Sequence, residues 1–454
     1  MKKLLFFLLL PIATLAQHLP GLMSSNYGGI YRMLQNPSAV AGSRYRYQVV
    51  VAGNSSVSAN YFRRPFTQDF LHLGLLPYQT DLARDLQSVG SLTEAPRHAI
   101  YTEVIGPSVL FSPDRRQSFA VHTRLRSYAW GNGFPLALTN AYGYQLFSKK
   151  IEPANGNFTG TIQQLQHAEV GLTYGLRVFE GKWHRLSVGA TGRRLFGGSY
   201  RSLQLGGQYA ILPKNATGEN TITLNNVALD LTTTAPQPNA GNTGAGWAID
   251  FGATYEIGKR ITGRQYNAET PFADPRPAYL LRLSASVLNT GSVNLPVGTR
   301  TTGKSIQKTL TQADLDRIGN NLITQLPSLI TAPTTNETVA RRQELPRLLN
   351  VEADLRLGRG FFVNGLLQRN LTDGPDYPTP NQTVITPRFE DEDTEFALPV
   401  SVIDGNGRVA VGASVRLGPI SIGANDLIGI LDKNSNYRAS AVWMGLSVWG
   451  WQRK

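Results

Sequence analysis

Apolar and polar residues alternate with a period of two along much of this chain. The longest run is residues 44–61, RYRYQVVVAGNSSVSANY. Tyr45, Tyr47, Val49, Val51, Gly53, Ser55, Val57 and Ala59 fall on one face. Arg44, Arg46, Gln48, Asn54, Ser56, Ser58 and Asn60 fall on the other, with Val50 and Ala52 interrupting it. This pattern predicts a strand with one apolar or small face and one polar face. The run exceeds the roughly five or six residues usual for globular strands. Aromatic residues on its apolar face point to a wall against lipid with a wet interior behind it.

The alternation recurs. Residues 117–130 set Phe119, Val121 and Leu125 against His122, Arg124 and Arg126. Residues 166–179 set Val170, Leu172 and Tyr174 against His167, Glu169 and Arg177. Residues 245–257 oppose Trp247, Phe251 and Tyr255 to Asp250, Thr254 and Glu256, and 278–290 oppose Tyr279, Leu281 and Leu283 to Arg282 and Ser284. Further strands are predicted at 97–111 (bent at Gly106-Pro107), 184–196, 348–357, 361–371, 382–390, 394–403, 408–417, 419–427 and 437–449. Residues 197–244 and 291–347 lack the pattern and read as loop-like. A helical patch is expected at 81–89. A second helix is expected from Thr311, capped with Asp314, through Leu315, Ile318, Leu322 and Leu326 to Pro327. Asp404-Gly405-Asn406-Gly407 is a hairpin signal, and Trp443, Trp449 and Trp451 suit an interfacial aromatic girdle.

The connections sort by parity. Odd-numbered ones run to roughly 35, 35, 48, 57, 10, 4 and 9 residues, and even-numbered ones to roughly 5, 4, 20, 3, 3 and 1. Long loops on one side and short turns on the other are the outer-membrane pattern. The fold class expected is therefore all-β: a closed antiparallel transmembrane β-barrel of about 14 strands with long extracellular loops. Apolar faces turn outward, while Arg, Glu, Asp and Asn line the lumen. Arg124 or Arg177 placed outward at mid-membrane would cost about 2–4 kcal/mol each.

Composition adjusts this picture. Lys2 and Lys3 precede the apolar run 4–10, and Thr14-Leu15-Ala16 resembles a cleavage site, so 1–16 reads as a signal peptide. Export to the cell outer membrane follows. The chain has no cysteine, which removes disulfides and thiolate metal sites from consideration. Residues 17–43, with Asn36-Pro37 at a turn, read either as an arm packed at the barrel mouth or as a plug inside it. Residues 44–454 are the barrel. The net charge is +13, but the arginines are dispersed without a dense basic run, so no nucleic-acid partner is expected.

Several stretches, taken in order, resemble a known family. They are Asn36-Pro37-Ser38 followed by Ser43-Arg44-Tyr45-Arg46-Tyr47, Gly106-Pro107-Ser108, and Thr123-Arg124-Leu125-Arg126-Ser127. Later come Leu345-Pro346-Arg347, Pro387-Arg388-Phe389-Glu390, Leu398-Pro399-Val400 and 416–423, RLGPISIG. The set is similar to an uncharacterised Bacteroidota family of outer-membrane β-barrels, itself distantly similar to FadL-type transporters and type IX secretion barrels. Ser38 stands where related barrels often carry Ala. The resemblance implies a fold and a location; it supplies no activity.

No catalytic or metal signature appears. The six histidines lack ligand spacing, and the glycine pairs lack a phosphate-loop context. The chain is expected to be neither an enzyme nor a cofactor protein. Two functions remain. One is a channel or transporter for a small solute, hydrophobic solutes included. The other is an interaction barrel that docks a partner of a secretion or envelope complex, with outer-membrane lipid or lipopolysaccharide around it in either case. Candidate lumen or plug residues are Asn36, Pro37, Arg44, Arg46, His122, Arg124, Arg126, Glu169, Arg177 and Asp250.

Overall fold

The computed structural model describes residues 21–60, 98–114, 116–140, 153–181, 183–212, 221–235, 241, 243–258, 279–311, 313–314, 334–358, 360–372, 381–403, 409–427, 438–440 and 442–451. The leader at 1–16, the helical patch at 81–89 and the hairpin signal at 404–407 lie outside these residues. So does the second helix beyond Asp314, although its cap forms: Thr311 N–H donates to Asp314 Oδ2 at 3.2 Å and Asp314 N–H to Thr311 Oγ1 at 3.4 Å.

Fourteen strands close one antiparallel barrel. They are β1 (Tyr45–Asn60), β2 (His98–Ile105 and Ser108–Phe111), β3 (Gln117–Asn132), β4 (Ala154–Glu180) and β5 (His184–Leu212). Next come β6 (Thr221–Thr234 and Ala245–Gly258), β7 (Tyr279–Asn294 and Gly298–Leu310) and β8 (Thr334–Val339, Arg342–Glu344 and Leu348–Arg356). The last are β9 (Phe361–Asn370), β10 (Gln382–Glu390), β11 (Thr394–Ala397 and Val400–Ile403), β12 (Val409–Val411 and Ala413–Leu417), β13 (Ile420–Ala424) and β14 (Arg438–Ser440 and Val442–Trp451). Each pairs with its sequence neighbour, and β1 meets β14 with Val49 opposite Val448, so the ring has no open edge there. The end holding Tyr45 and Trp451 is called proximal. Tight turns such as Ser112–Asp114 and Asp391–Asp393 lie at that end.

Around the proximal half the outer surface is apolar. Val121, Leu172, Phe251, Val351, Ile385 and Val448 are all exposed, while the residues between them point inward and are polar. Further along, the sequence expectation fails. Residues 154–165, 197–212, 221–234, 298–310, 334–339 and 342–344 are strand, where loops were expected, and three connections shrink to 133–153, 213–220 and 311–333. In this distal extension the faces are exchanged. Leu203, Leu205, Ile211, Ile222, Leu229 and Ile306 point inward and pack together, with Phe134 and, from a short helix (Leu136–Asn140), Leu138 against them. The outer surface carries Asn155, Asn157, Thr159, Gln204 and Gln208 instead. Register shifts at Gly206/Gln208 and Gly303/Ile306 interrupt the period, which hid these strands from a two-residue count.

Bulges also correct the proximal reading of β1. Its pairing with β14 slips between Tyr45 and Tyr47 and again between Val50 and Ala52. Tyr45 and Val50 therefore face the interior, and Arg46 is exposed. Trp443 and Trp449 are not girdle residues either. Trp443 is 1% exposed inside the barrel, and Trp449 lies 5.5 Å from the Tyr45 ring. Tyr279, expected outward, is buried inside after the shift at Ile257/Gly258.

The interior is filled by residues 21–43, which include a helical turn (Ile30–Met33) and a 3₁₀ turn (Pro37–Val40). Residues 21–41 are buried throughout. Leu22, Tyr27, Ile30, Tyr31 and Met33 pack with Val50, Ile105, Leu110 and Trp443 of the wall. The 3₁₀ turn rests on a row of glycines in register across three strands, Gly175 of β4, Gly189 of β5 and Gly252 of β6. A Cβ at these positions would run into Val40, the Pro37 carbonyl and the Asn36 side chain respectively. Glycine is needed there because the segment packs directly on the strand backbone and leaves no room for a Cβ, not for its conformational freedom. Replacing Gly189 or Gly252 with Val is expected to weaken seating of the segment by about 1–3 kcal/mol. Limited proteolysis should then cut within 21–43 faster while the wall strands stay protected.

Candidate functional site

The lumen holds a charged belt, built by register. Arg124 of β3 pairs with Glu169 of β4 directly across the strands, and Glu103 of β2 faces Arg126. Inward alternation sends all four side chains into the lumen in two adjacent cross-strand rows. Glu169 accepts from Arg124 and, at 2.9 Å, from Arg193 Nη1 of β5; Arg126 Nη1 lies 3.8 Å away. Glu103 holds Arg124 at 3.2 Å and Arg126 at 3.5 Å. Asp250 of β6 accepts from Arg193 Nη2 at 2.5 Å and from the Asn289 backbone N–H at 2.6 Å. Three guanidiniums thus face three carboxylates, all buried, which offsets the desolvation that any one of them would suffer alone.

Asn289 ties the belt together and was not expected from the sequence. It has a positive φ of 61°, where the β6–β7 register slips, and its Oδ1 accepts from Arg126 Nη1 at 2.9 Å and Arg193 Nη2 at 3.0 Å. An Asn tolerates this backbone better than most residues, but nothing in the strand pattern marks the bulge in advance. His122 and His167 flank Glu169, with Nε2 atoms 3.9 and 3.8 Å from its oxygens, and His167 stacks on Tyr128.

A second network joins the wall to the lumenal segment. Asp354 of β8 is held by Arg388 of β10 through two bonds of 2.7 and 2.8 Å and by Arg282 of β7 at 2.9 Å. Glu352 takes Arg282 at 3.1 Å and Asn364 at 2.9 Å. Glu390 accepts the backbone N–H of Asn26 at 3.0 Å, and Arg282 Nη2 donates to the Ser24 carbonyl at 3.1 Å. The Gln35 carbonyl accepts from Ser286 Oγ at 2.7 Å and from Asn350 Nδ2 at 3.2 Å.

Of the sequence candidates, His122, Arg124, Arg126, Glu169 and Asp250 meet in the belt. Asn36 and Pro37 lie apart from it, in the segment beneath. The Asn36 side chain accepts from Ser38 N–H and donates to the Ala253 carbonyl at 3.3 Å. Arg177 also belongs there, donating to the Ala41 carbonyl at 3.3 Å and pairing with Glu180 at 2.9 Å. Arg46 is exposed and Arg44 half-buried at the proximal rim; neither joins the lumen site, because the bulge after Tyr45 reverses the faces. Glu103, Arg193, Asp354 and Arg388 were missed. Each occupies a polar position of its strand, but which polar positions converge depends on pairing across the barrel.

Distal of the belt the lumen turns apolar. Tyr128, Leu165, Leu195, Tyr200, Leu295 and Leu345 form a buried cluster with Trp130 beneath the extension. Among the described residues, no three His, Asp or Glu side chains are disposed to hold a metal ion. Glu169→Gln would leave the belt with an uncompensated buried guanidinium, and a loss of about 3–5 kcal/mol is expected. Glu180→Gln, at the more exposed proximal turn, should cost about 1 kcal/mol or less. Urea unfolding followed on unboiled gels reads both.

No curated protein matches the sequence. Solved β-barrels resemble the chain at low identity. The Pseudomonas putida toluene transporter TodX is 10% identical over 96% of this chain and 98% of its own, with a TM-score of 0.42. A Pseudomonas aeruginosa FadL homologue is 9% identical over 92% of each chain, with a TM-score of 0.35. The translocator domain of the autotransporter NalP from Neisseria meningitidis is 9% identical over 91% and 93%, with a TM-score of 0.31. A family model described as a family of unknown function, DUF5723, matches residues 39–425. Spanning most of the barrel and part of the lumenal segment, that match makes the chain a member of the DUF5723 family.

Proposed function

We propose that this protein is an outer-membrane channel for a small hydrophobic solute, closed at its proximal, periplasmic end by residues 21–43. One observation carries the reading: the lumen is apolar on the distal side of the charged belt and filled by a buried segment on the other. An aqueous porin lumen would be polar along its length. Here a hydrophobic solute leaving water would meet the layer of Tyr128, Leu165, Leu195 and Tyr200, with Arg341 stacked over the Tyr200 ring at 4.7 Å, before the charged belt. The exposed apolar surface of the proximal half supports the membrane setting, since water would not favour such a band on a monomer.

The belt and the segment then act in series. Charged side chains that satisfy one another offer little to an apolar solute, so passage requires the segment to move from the glycine row. Its contacts with Glu390, Arg282 and Ser286 hold it closed. Deleting residues 21–43 is expected to raise single-channel conductance in planar bilayers; an unchanged conductance would count against a plug. Leu195→Asp, which puts a charge in the apolar layer, should lower uptake of a monoaromatic hydrocarbon into proteoliposomes by about tenfold or more, in line with the cost of a buried charge. Equal uptake of hydrocarbon by variant and parent would speak for another cargo.

A further inference from the structure

The outer surface carries a cationic patch at the upper border of its apolar band. Two rows of outward residues run in register across β4 to β8. The lower row is Val170, Arg194, Trp247, Ser292 and Glu344. The upper row is Ala168, Phe196, Ala245, Asn294 and Arg342, by the same pairings. Below them the wall is apolar, with Ile249 and Phe251 exposed. Above them it is polar, with Ser199 Oγ donating to Gln166 Oε1 at 3.0 Å. The patch therefore straddles the boundary between the two surfaces.

The belt arginines Arg124, Arg126 and Arg193 pair with carboxylates, whereas neither Arg194 nor Arg342 has a carboxylate within salt-bridge distance among the described residues. Arg194 lies over the Trp247 ring, 5.0 Å from its centroid, and Trp247 is itself 64% exposed. Arg342 is exposed and donates through Nε to Ser292 Oγ at 2.7 Å, which fixes its stem and leaves its terminal nitrogens directed elsewhere. Stacking and that single bond orient both guanidiniums at little further entropic cost. Glu344 is the one acid in the two rows, so the patch keeps a net positive charge.

The geometry points to a binding site for the phosphorylated headgroup of a lipid in the outer leaflet, its acyl chains lying along Ile249 and Phe251 below. Guanidinium and phosphate match in charge and in fork geometry. An exposed Trp at an apolar border suits the zone where headgroup meets chain. This inference rests on the membrane setting proposed above. It goes beyond it by assigning a lipid class and named residues to one side of the barrel.

Native mass spectrometry and vesicle flotation test it together. The purified full chain is offered lipid A bearing phosphate and the same lipid dephosphorylated, in the presence of bulk phosphatidylethanolamine vesicles. The expected result is retention of phosphorylated lipid A at least about tenfold above the dephosphorylated form, as for loss of one charge-assisted contact. The preference should fall to near parity in the Arg194→Gln/Arg342→Gln variant. Inorganic phosphate at millimolar concentration should compete poorly, because it lacks the chains. Equal retention of both lipids by the parent, or an undiminished preference in the double variant, overturns the site while protein that floats with vesicles keeps the membrane reading. Protein that does not float overturns both. The unboiled gel shift of the variant, expected unchanged, separates loss of the site from loss of the barrel.

Discussion

The structure depends on closure of the hydrogen-bonded ring. A strand has donors and acceptors along both edges, and a medium that satisfies neither makes an open edge costly. Pairing β1 with β14 removes the last edge of the proximal half, and every other choice follows from it. Once the ring is closed, each side chain points either in or out, and the environment on each side decides which chemistry belongs there. In the proximal half, apolar residues face out and charges face in. In the distal extension the order reverses, and Leu203, Ile222 and Ile306 form a core behind an outer face of Asn, Gln and Thr. The change of sides marks where the proposed membrane ends and water begins.

Closure also creates an interior that must be filled. Charges turned inward would be costly if left alone. The belt answers this with Glu103, Glu169 and Asp250 against Arg124, Arg126 and Arg193. The lower interior is filled by the chain's own residues 21–43, whose backbone groups are satisfied by wall side chains such as Glu390, Ser286 and Asn350. The glycine row lets that backbone approach closely. Wall and segment are therefore one packed object, and any opening must break contacts on both the polar and the apolar side of the segment.

Much of the barrel was legible in the sequence. Where lipid-type alternation holds, as at 117–130, 166–179 and 348–357, strand and facing were both readable, and Arg124, Glu169 and Asp250 were correctly turned inward. The failures share a cause. A bulge adds one residue and reverses the faces beyond it, which moved Tyr45, Arg46 and Tyr279 to sides the period did not predict. Trp443 failed differently: an aromatic near the end of a strand looks like a girdle residue, but it fits the interior because Gly423 opposite has no side chain. The distal strands were unreadable as barrel wall because their outer face is polar and their period is broken by register shifts.

The sequence by itself determined the strand count, the alternation and the residues bearing charge, since period, turn chemistry and composition are local properties. Tertiary structure decided which charges meet, because the partner of Arg193 or Arg388 is set by register between strands far apart in the chain. It also decided that residues 21–43 lie inside the ring, because three glycines on three separate strands become a seat only after those strands pair. Facing is a local rule; convergence is a property of the closed sheet.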